Sequence, residues 1–445
     1  MPDANARVVE RLLKSAPADS LVAGAQIVSV AETAELWAGY GSICTVVLKL
    51  KLKLKDQNEQ EGQRRFILKV IIPPRTELDS DGKPDEGHLR KLLSYRVEAN
   101  FYGSRMTRSL QASLVCGPHA SISTLHSALD APVPGSPRDD GSDSRNEAAS
   151  VQAILLDDIR DIGFPRLAEE MRGTLDQDQT LAALRWLAHF HAHFAGYLPN
   201  SQDGRAEGDH GECPPPLKAW SSSSSSSRWK GNGVWQMGGY SYVDTRLAEL
   251  ERIPDNSLWA RLGLKGDLAH AIDWALSAEG SHCGPAGQTL IHGDVKSANL
   301  AFSDDGRCAA AYDFQFVGRG VGVTDLAKFL TTSISSSAMD SQGERTLLRY
   351  YHDHFISAVQ AEPAPLWAQA DDTGFLPESR RAASAYSFDD FLIHWDLAIL
   401  SWQRFQAGWG AWGNVQWTQR RAKEILERPG WSAALVLRWK HRQAQ

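Results

Sequence analysis

From Thr45 to Lys55 the chain alternates: Val46, Leu48, Leu50, Leu52 and Leu54 are apolar, and Lys49, Lys51, Lys53 and Lys55 are charged. A period of two cannot face one side of a helix, so this segment is a strand with one buried and one wet face. Arg65 to Ile72 (RFILKVII) reads as a second strand, stopped by Pro73-Pro74, since proline cannot donate to a ladder. The polar stretch Asp56 to Gln63 is the expected turn between them, and Trp37-Ala38-Gly39-Tyr40-Gly41-Ser42 is a small-residue turn on the entry side. A helix is expected from His88 to Met106, where Leu89, Leu92, Leu93, Val97 and Phe101 recur at helical spacing. Leu114 to Cys116 and Val151 to Leu156 read as two further strands. From Leu181 the pattern is helical, apart from a β-like region at Leu290 to Tyr312. Strands and one helix followed by helices predict an α+β protein, with a β-rich N-terminal part (1–158), a helical part (159–445) and a boundary near Asp158.

A chain of 445 residues exceeds one ordinary domain. Its net charge of −7 argues against a general nucleic-acid binder. Cys44, Cys116, Cys213, Cys283 and Cys308 are odd in number and show no CxxC spacing, so they are read as reduced thiols rather than a zinc site or a disulfide framework. With no signal peptide and no membrane-span pattern in view, the expected location is cytoplasmic. Two stretches rich in loop formers, Pro132 to Glu147 and Asn200 to Gly233, read as insertions; the second contains the run Ser221 to Ser227.

The chemistry concentrates in His292-Gly293-Asp294-Val295-Lys296-Ser297-Ala298-Asn299, with Asp313 fourteen positions after Asn299 in Tyr312-Asp313-Phe314-Gln315. Phosphoryl transfer needs a carboxylate that orients a hydroxyl and accepts its proton, and Asp294 fits that role. It also needs a hard cation on the triphosphate, and hard cations take oxygen ligands. Asn299 and Asp313 are the candidate Mg²⁺ ligands, and Lys296 is placed to neutralise phosphoryl charge. Upstream, Lys69 is a lysine inside an apolar strand, with Ile67 on the same face to cover an adenine ring. Glu98 on the next helix is its expected ion-pair partner. Gly39, Gly41 and Ser42 precede a strand and would let backbone amides approach phosphates.

HGDVKSAN and YDFQ resemble the aminoglycoside phosphotransferase and choline kinase superfamily. SYRVEANFY (94–102), LLDDIRDIGFP (155–165), LRWLAHFHAHF (184–194) and YDFQFVGRGVGVTDLAKFL (312–330) resemble its ecdysteroid-kinase-like (CHK-kinase-like) branch, over about Gly39 to Phe405. The resemblance implies a protein-kinase-like bilobal fold, with a small β-rich N-lobe, a larger helical C-lobe and ATP held between them near a hinge at Leu156 to Ile159. It implies Asp294 as base, Asn299 and Asp313 on Mg²⁺, and Lys69 with Glu98 as the phosphate-positioning pair. Asp325 matches a structural aspartate that braces the catalytic loop. Asp157 stands where relatives usually carry Glu.

Asp325 follows Asp313 by only twelve positions and no Ala-Pro-Glu occurs, which leaves no room for the activation segment of a protein kinase. The expected substrate is therefore a small molecule with a hydroxyl. The alternatives are a pseudokinase or nucleotide-binding scaffold, and less so a protein kinase. Trp395, Trp402, Trp409, Trp412, Trp417, Trp431 and Trp439 crowd the C-terminal region, with Asp389, Asp390 and Asp396 nearby; they read mainly as helix packing, or in part as an acceptor wall.

Overall fold

The computed structural model describes residues 2–53, 59–74, 85–132, 150–168, 174–197, 212–221, 231–369 and 377–444. Its strands are β1 (Gln26–Glu35), β2 (Gly41–Lys53), β3 (Glu59–Ile71), β4 (Ser121–Ile122), β5 (Leu125–Pro132), β6 (Ser150–Asp157), β7 (Arg166–Leu167), β8 (Gln288–Ile291), β9 (Leu300–Phe302), β10 (Ala309–Ala311) and β11 (Gly318–Val321). The chain divides into two units. One combines Met1–Gly103 with Ser123–Pro165; the other combines Ser104–Ile122 with Arg166–Gln445. The class is α+β.

The first unit is an antiparallel sheet in the order β1-β2-β3-β6-β5. The alternating segment is β2, and its even-numbered apolar residues Val46, Leu48 and Leu50 are buried on one face. The helix Pro2–Ser15 covers that face by packing Val9 and Leu12 into a core with Phe66, Leu68, Val70 and Leu155. Ile71 lies on the opposite face, in a smaller cluster with Leu36, Tyr40 and Tyr95 of the helix Glu86–Gly103.

Two expectations are corrected in this part of the chain. The polar segment before Arg65 is not all turn: β3 begins at Glu59, and Glu61 pairs in register with Lys51 and bonds Lys49 at 2.6 Å. Complementary charges on both strands hold this end of the ladder where no apolar residue marks it. Leu114 to Cys116 is a turn, not a strand. Ser113 Oγ accepts from Cys116 N (3.0 Å), and Leu114 is 94% exposed. A three-residue apolar run is too short to overrule a local serine bond.

The second unit holds a four-stranded sheet in the order β4-β10-β9-β7, a two-stranded ladder of β11 with β8, and the remaining helices. The helix Gln177–Phe194 is a central element. Asp176 and Gln179 form its capping box, and Trp186, Phe190 and Phe194 are fully buried along it. At its C-terminus the buried Arg380 gives Nη1 to the carbonyls of Ala192, His193 and Ala195, which satisfies acceptors that a helix end leaves open. Most of the two insertions, 133–149 together with 200–211 and 222–230, lies outside the described residues. The described part of the second is tied to the rest of its unit: Cys213 is buried and bridges Trp235, and Arg319 Nη2 donates to Glu212 Oε2 at 2.8 Å. No helix of the described residues is long and apolar enough to cross a membrane.

Candidate active site

β8 delivers the chain to His292 as a buried, four-residue strand. The following residues turn sharply, and the turn is fixed from below by one carboxylate. Asp325, near the start of the helix Val323–Ser333, accepts from His292 N at 2.7 Å and Gly293 N at 2.8 Å. His191 Nε2 meets the same carboxylate at 3.1 Å. Gly293 has φ +81, and a Cβ there would stand 2.1 Å from Phe316 O. Only glycine fits, because both its conformation and the space exclude a side chain.

Asp294 follows, buried, with three partners on its carboxylate. Lys328 Nζ bonds Oδ1. Lys296 Nζ and Asn299 Nδ2 each stand 3.3 Å from Oδ2. Asn299 also donates from Nδ2 to Asp294 O at 2.9 Å, so its amide group is oriented and its oxygen is the end left for other work. The β9–β10 hairpin then fixes Asp313. Leu300 pairs with Ala311, and Tyr312 N donates to Asn299 O at 3.1 Å. Asn299 and Asp313 therefore stand at the same end of one ladder. Asp313 adopts φ +68, and Gln315 Nε2 donates to its Oδ1 at 2.7 Å. An amide oxygen and a carboxylate are a suitable donor set for a hard divalent cation.

In the first unit Lys69 Nζ lies 2.6 Å from Glu98 Oε2, both buried. Its ammonium is also 5.3 Å from the ring centroid of Tyr95. Ile67 shares this face of β3 by the strand period, whereas Phe66, Leu68 and Val70 fill the opposite core. The glycine turn is tighter than phosphate approach alone requires. Gly39 N already donates to Leu36 O at 3.1 Å, and a Cβ on Gly41 would stand 2.0 Å from Val70 O. Ser42 is in ladder register with Glu35. Near the expected hinge, Asp157 N donates to Thr124 O (3.0 Å) and its carboxylate is bonded to His126 at 2.8 Å.

Sequence reading missed Lys328. It is fully enclosed, and burial, followed by the Arg246 guanidinium, pushes its ammonium well below the ordinary lysine value. The signal was present as Asp325-x-x-Lys328: three positions along a helix put Lys328 on the face of the residue that ties the loop. The aromatic residues expected as an acceptor wall are largely spoken for. Trp395, Trp402 and Trp417 are buried in helix packing, and Arg246 lies over Tyr240 (4.0 Å), Phe405 (5.1 Å) and Trp409 (5.7 Å). Asp396 is paired with Arg421 and Arg428, and Asp390 with His282.

Residues 164–366 match the phosphotransferase enzyme family (APH). That stretch contains Asp294, Asn299, Asp313 and Asp325 and begins after Lys69 and Glu98. No curated protein matches the chain. Among solved structures, an amicoumacin kinase in complex with AMP-PNP, Ca²⁺ and Ami is 13% identical with a TM-score of 0.41, covering 96% of this chain and 94% of its own. A choline kinase from Cryptosporidium parvum Iowa II is 10% identical with a TM-score of 0.37, covering 95% and 94%. A choline/ethanolamine kinase family protein from Mesorhizobium loti is 11% identical with a TM-score of 0.35, covering 98% and 99%.

Proposed function

We propose that this chain is an ATP- and Mg²⁺-dependent phosphotransferase that moves the γ-phosphate to a hydroxyl of a small molecule, and that it is related to the ecdysteroid-kinase-like branch by the segments quoted above. The observation that carries the reading is the setting of Asp294: a buried carboxylate at the tip of a braced turn, with Lys328 on one oxygen and Lys296 and Asn299 near the other. When bound, Mg-ATP supplies the phosphoryl group and a cation that offsets its charge.

Asp294 would orient the acceptor hydroxyl and take its proton, with Lys328 and Asn299 fixing which way the carboxylate faces. Lys296 stands two residues on and would shift from Asp294 to the transferring group. Asn299 and Asp313 would hold the metal through oxygen. Lys69, steadied by Glu98, would grip the phosphates, with Gly39 in the turn and Gly41 and Ser42 at the start of β2 ahead of it, and Ile67 against the base. Lys296 beside Asp294, and the pairing of Asp396 with Arg421 and Arg428, favour a neutral or anionic acceptor over a cationic one.

The test is phosphate transfer from ATP across a panel of hydroxylated metabolites, for the wild type and Asp294→Asn. The variant should keep its melting temperature and nucleotide binding while turnover falls by about 10²- to 10⁴-fold. Turnover near the wild-type rate would remove Asp294 from the role.

A further inference from the structure

We propose that the second unit carries a transition-metal site, of the zinc class, formed by His282, Cys283 and His394. One ring nitrogen of each histidine and the Cys283 sulfur lie within 4.8 Å of one another, and Cys283 Sγ is 4.0 Å from His394 Nε2. Zinc bound tetrahedrally at about 2.0–2.1 Å to nitrogen and about 2.3 Å to sulfur holds its ligand atoms about 3.3–3.6 Å apart, so these side chains would draw together by up to about 1.5 Å on binding. His394 comes from the helix Phe388–Trp409, and the other two from the loop that follows the helix Asp267–Ala275.

The surroundings are those of ligating imidazoles. His282 Nε2 meets Asp390 Oδ1 at 2.7 Å, and Ser387 Oγ holds the other Asp390 oxygen at 2.6 Å. His394 Nδ1 meets the Tyr386 hydroxyl at 2.5 Å. An oxygen on the far nitrogen fixes the tautomer and aims the near nitrogen at a metal. With those nitrogens engaged, ligation would fall to His282 Nδ1 and to His394 Nε2, which would exchange its present Ser281 hydroxyl partner for the ion. The neutral Ser281 hydroxyl, 2.9 Å from His394 Nε2, stands where a metal or its water would enter. His282 and Cys283 are partly exposed, so an ion has a path in.

A second cluster, Cys116 with His193 and Glu362, has comparable geometry but a different character. Its histidine meets Glu362 at 2.9 Å and Ser109 at 3.2 Å, much as His394 meets Tyr386 and Ser281, but here Arg380 also donates to the Glu362 backbone carbonyl beside the cluster. A fixed guanidinium opposes a cation there. The first site went unseen in the sequence because its third ligand lies far along the chain from Cys283 and no cysteine pair marks it. Nitrogen and thiolate donors suit zinc or cobalt and not magnesium, so this site is chemically separate from the oxygen pair at Asn299 and Asp313. On ligation the Cys283 thiol releases its proton to solvent.

The test uses the full chain, stripped with chelator and titrated with Co²⁺. One equivalent should produce tetrahedral d–d absorption together with a thiolate-to-cobalt charge-transfer band. Zn²⁺ should erase the band and excess Mg²⁺ should not. Cys283→Ser should lose the charge-transfer band while staying folded by circular dichroism, Cys308→Ser should keep it, and Asp390→Asn should weaken the affinity by about 10- to 100-fold. No band at stoichiometric cobalt in the folded wild type would overturn the proposal, and so would a band that survives Cys283→Ser.

Discussion

His189 shows what burial does to a base in this protein. Its imidazole sits beside His119, with ring centroids 4.5 Å apart, and its Nδ1 has no hydrogen-bond partner among the described residues. Burial first, and then His119, His354 and Arg185, lower its pKa from 6.5 to about 4. A proton therefore binds the unfolded chain more readily than the folded one. This residue's contribution is fully present above pH 6.5 and is lost as pH falls toward 4. We expect the melting temperature of the wild type to drop across that window and that of His189→Phe to drop less. Parallel curves in a pH series of thermal melts would rule His189 out as the cause. The stretch Leu184 to Phe194 was legible as a helix, but the fate of its histidines was not. His191 reaches Asp325 and His193 reaches Glu362, and periodicity alone carries no information about partners more than a hundred residues away.

Among the elements, the helix Pro2–Ser15 turns an open sheet face into a core. Leu12 is fully buried against the β2–β3–β6 surface. Leu12→Ala should cost about 2–5 kcal/mol, read by denaturant unfolding, because the sheet cannot collapse into the space left behind. A loss below half a kcal/mol would mean that the helix is dispensable. β2 and most of β3 were legible because alternation has only one reading. The polar start of β3 was not, since its support is the cross-strand pairing of Glu61 with lysines on β2, which becomes visible only once the register is known. The turn at Leu114 to Cys116 failed for the opposite reason: a short apolar run looked like a strand while Ser113 was already holding a turn.

At the scale of the whole molecule, the residues proposed to handle nucleotide and metal are divided between the two units, with Lys69 and Glu98 in the first and Asp294, Asn299 and Asp313 in the second. If Lys69 grips phosphate and Asp313 grips metal, their loss should have different signatures. Lys69→Met should weaken ATP binding by about 10- to 100-fold with or without Mg²⁺, whereas the effect of Asp313→Ala should shrink when the metal is chelated. Calorimetric titration of both variants, with Mg²⁺ and with EDTA, separates the two. Equal losses for Asp313→Ala under both conditions would make that residue structural. The α+β class was legible in the order of strand and helix patterns, and the candidate residues stood out because HGDVKSAN, Asp313 and a strand lysine each imply a distinct chemical need. Lys328 and the return of Ser104–Ile122 to the second unit were not, because both depend on how the chain folds back on itself.

Asp313 sits at φ +68, in a backbone region that glycine enters freely and aspartate enters at a cost, though a smaller one than most residues. A carboxylate stationed there is kept against the preference of its own main chain. Selection for heat tolerance alone, blind to catalysis, would push this position toward glycine. A library ranked only by thermal survival would therefore reward the substitution that removes the proposed metal ligand, and its most robust members would include inactive ones.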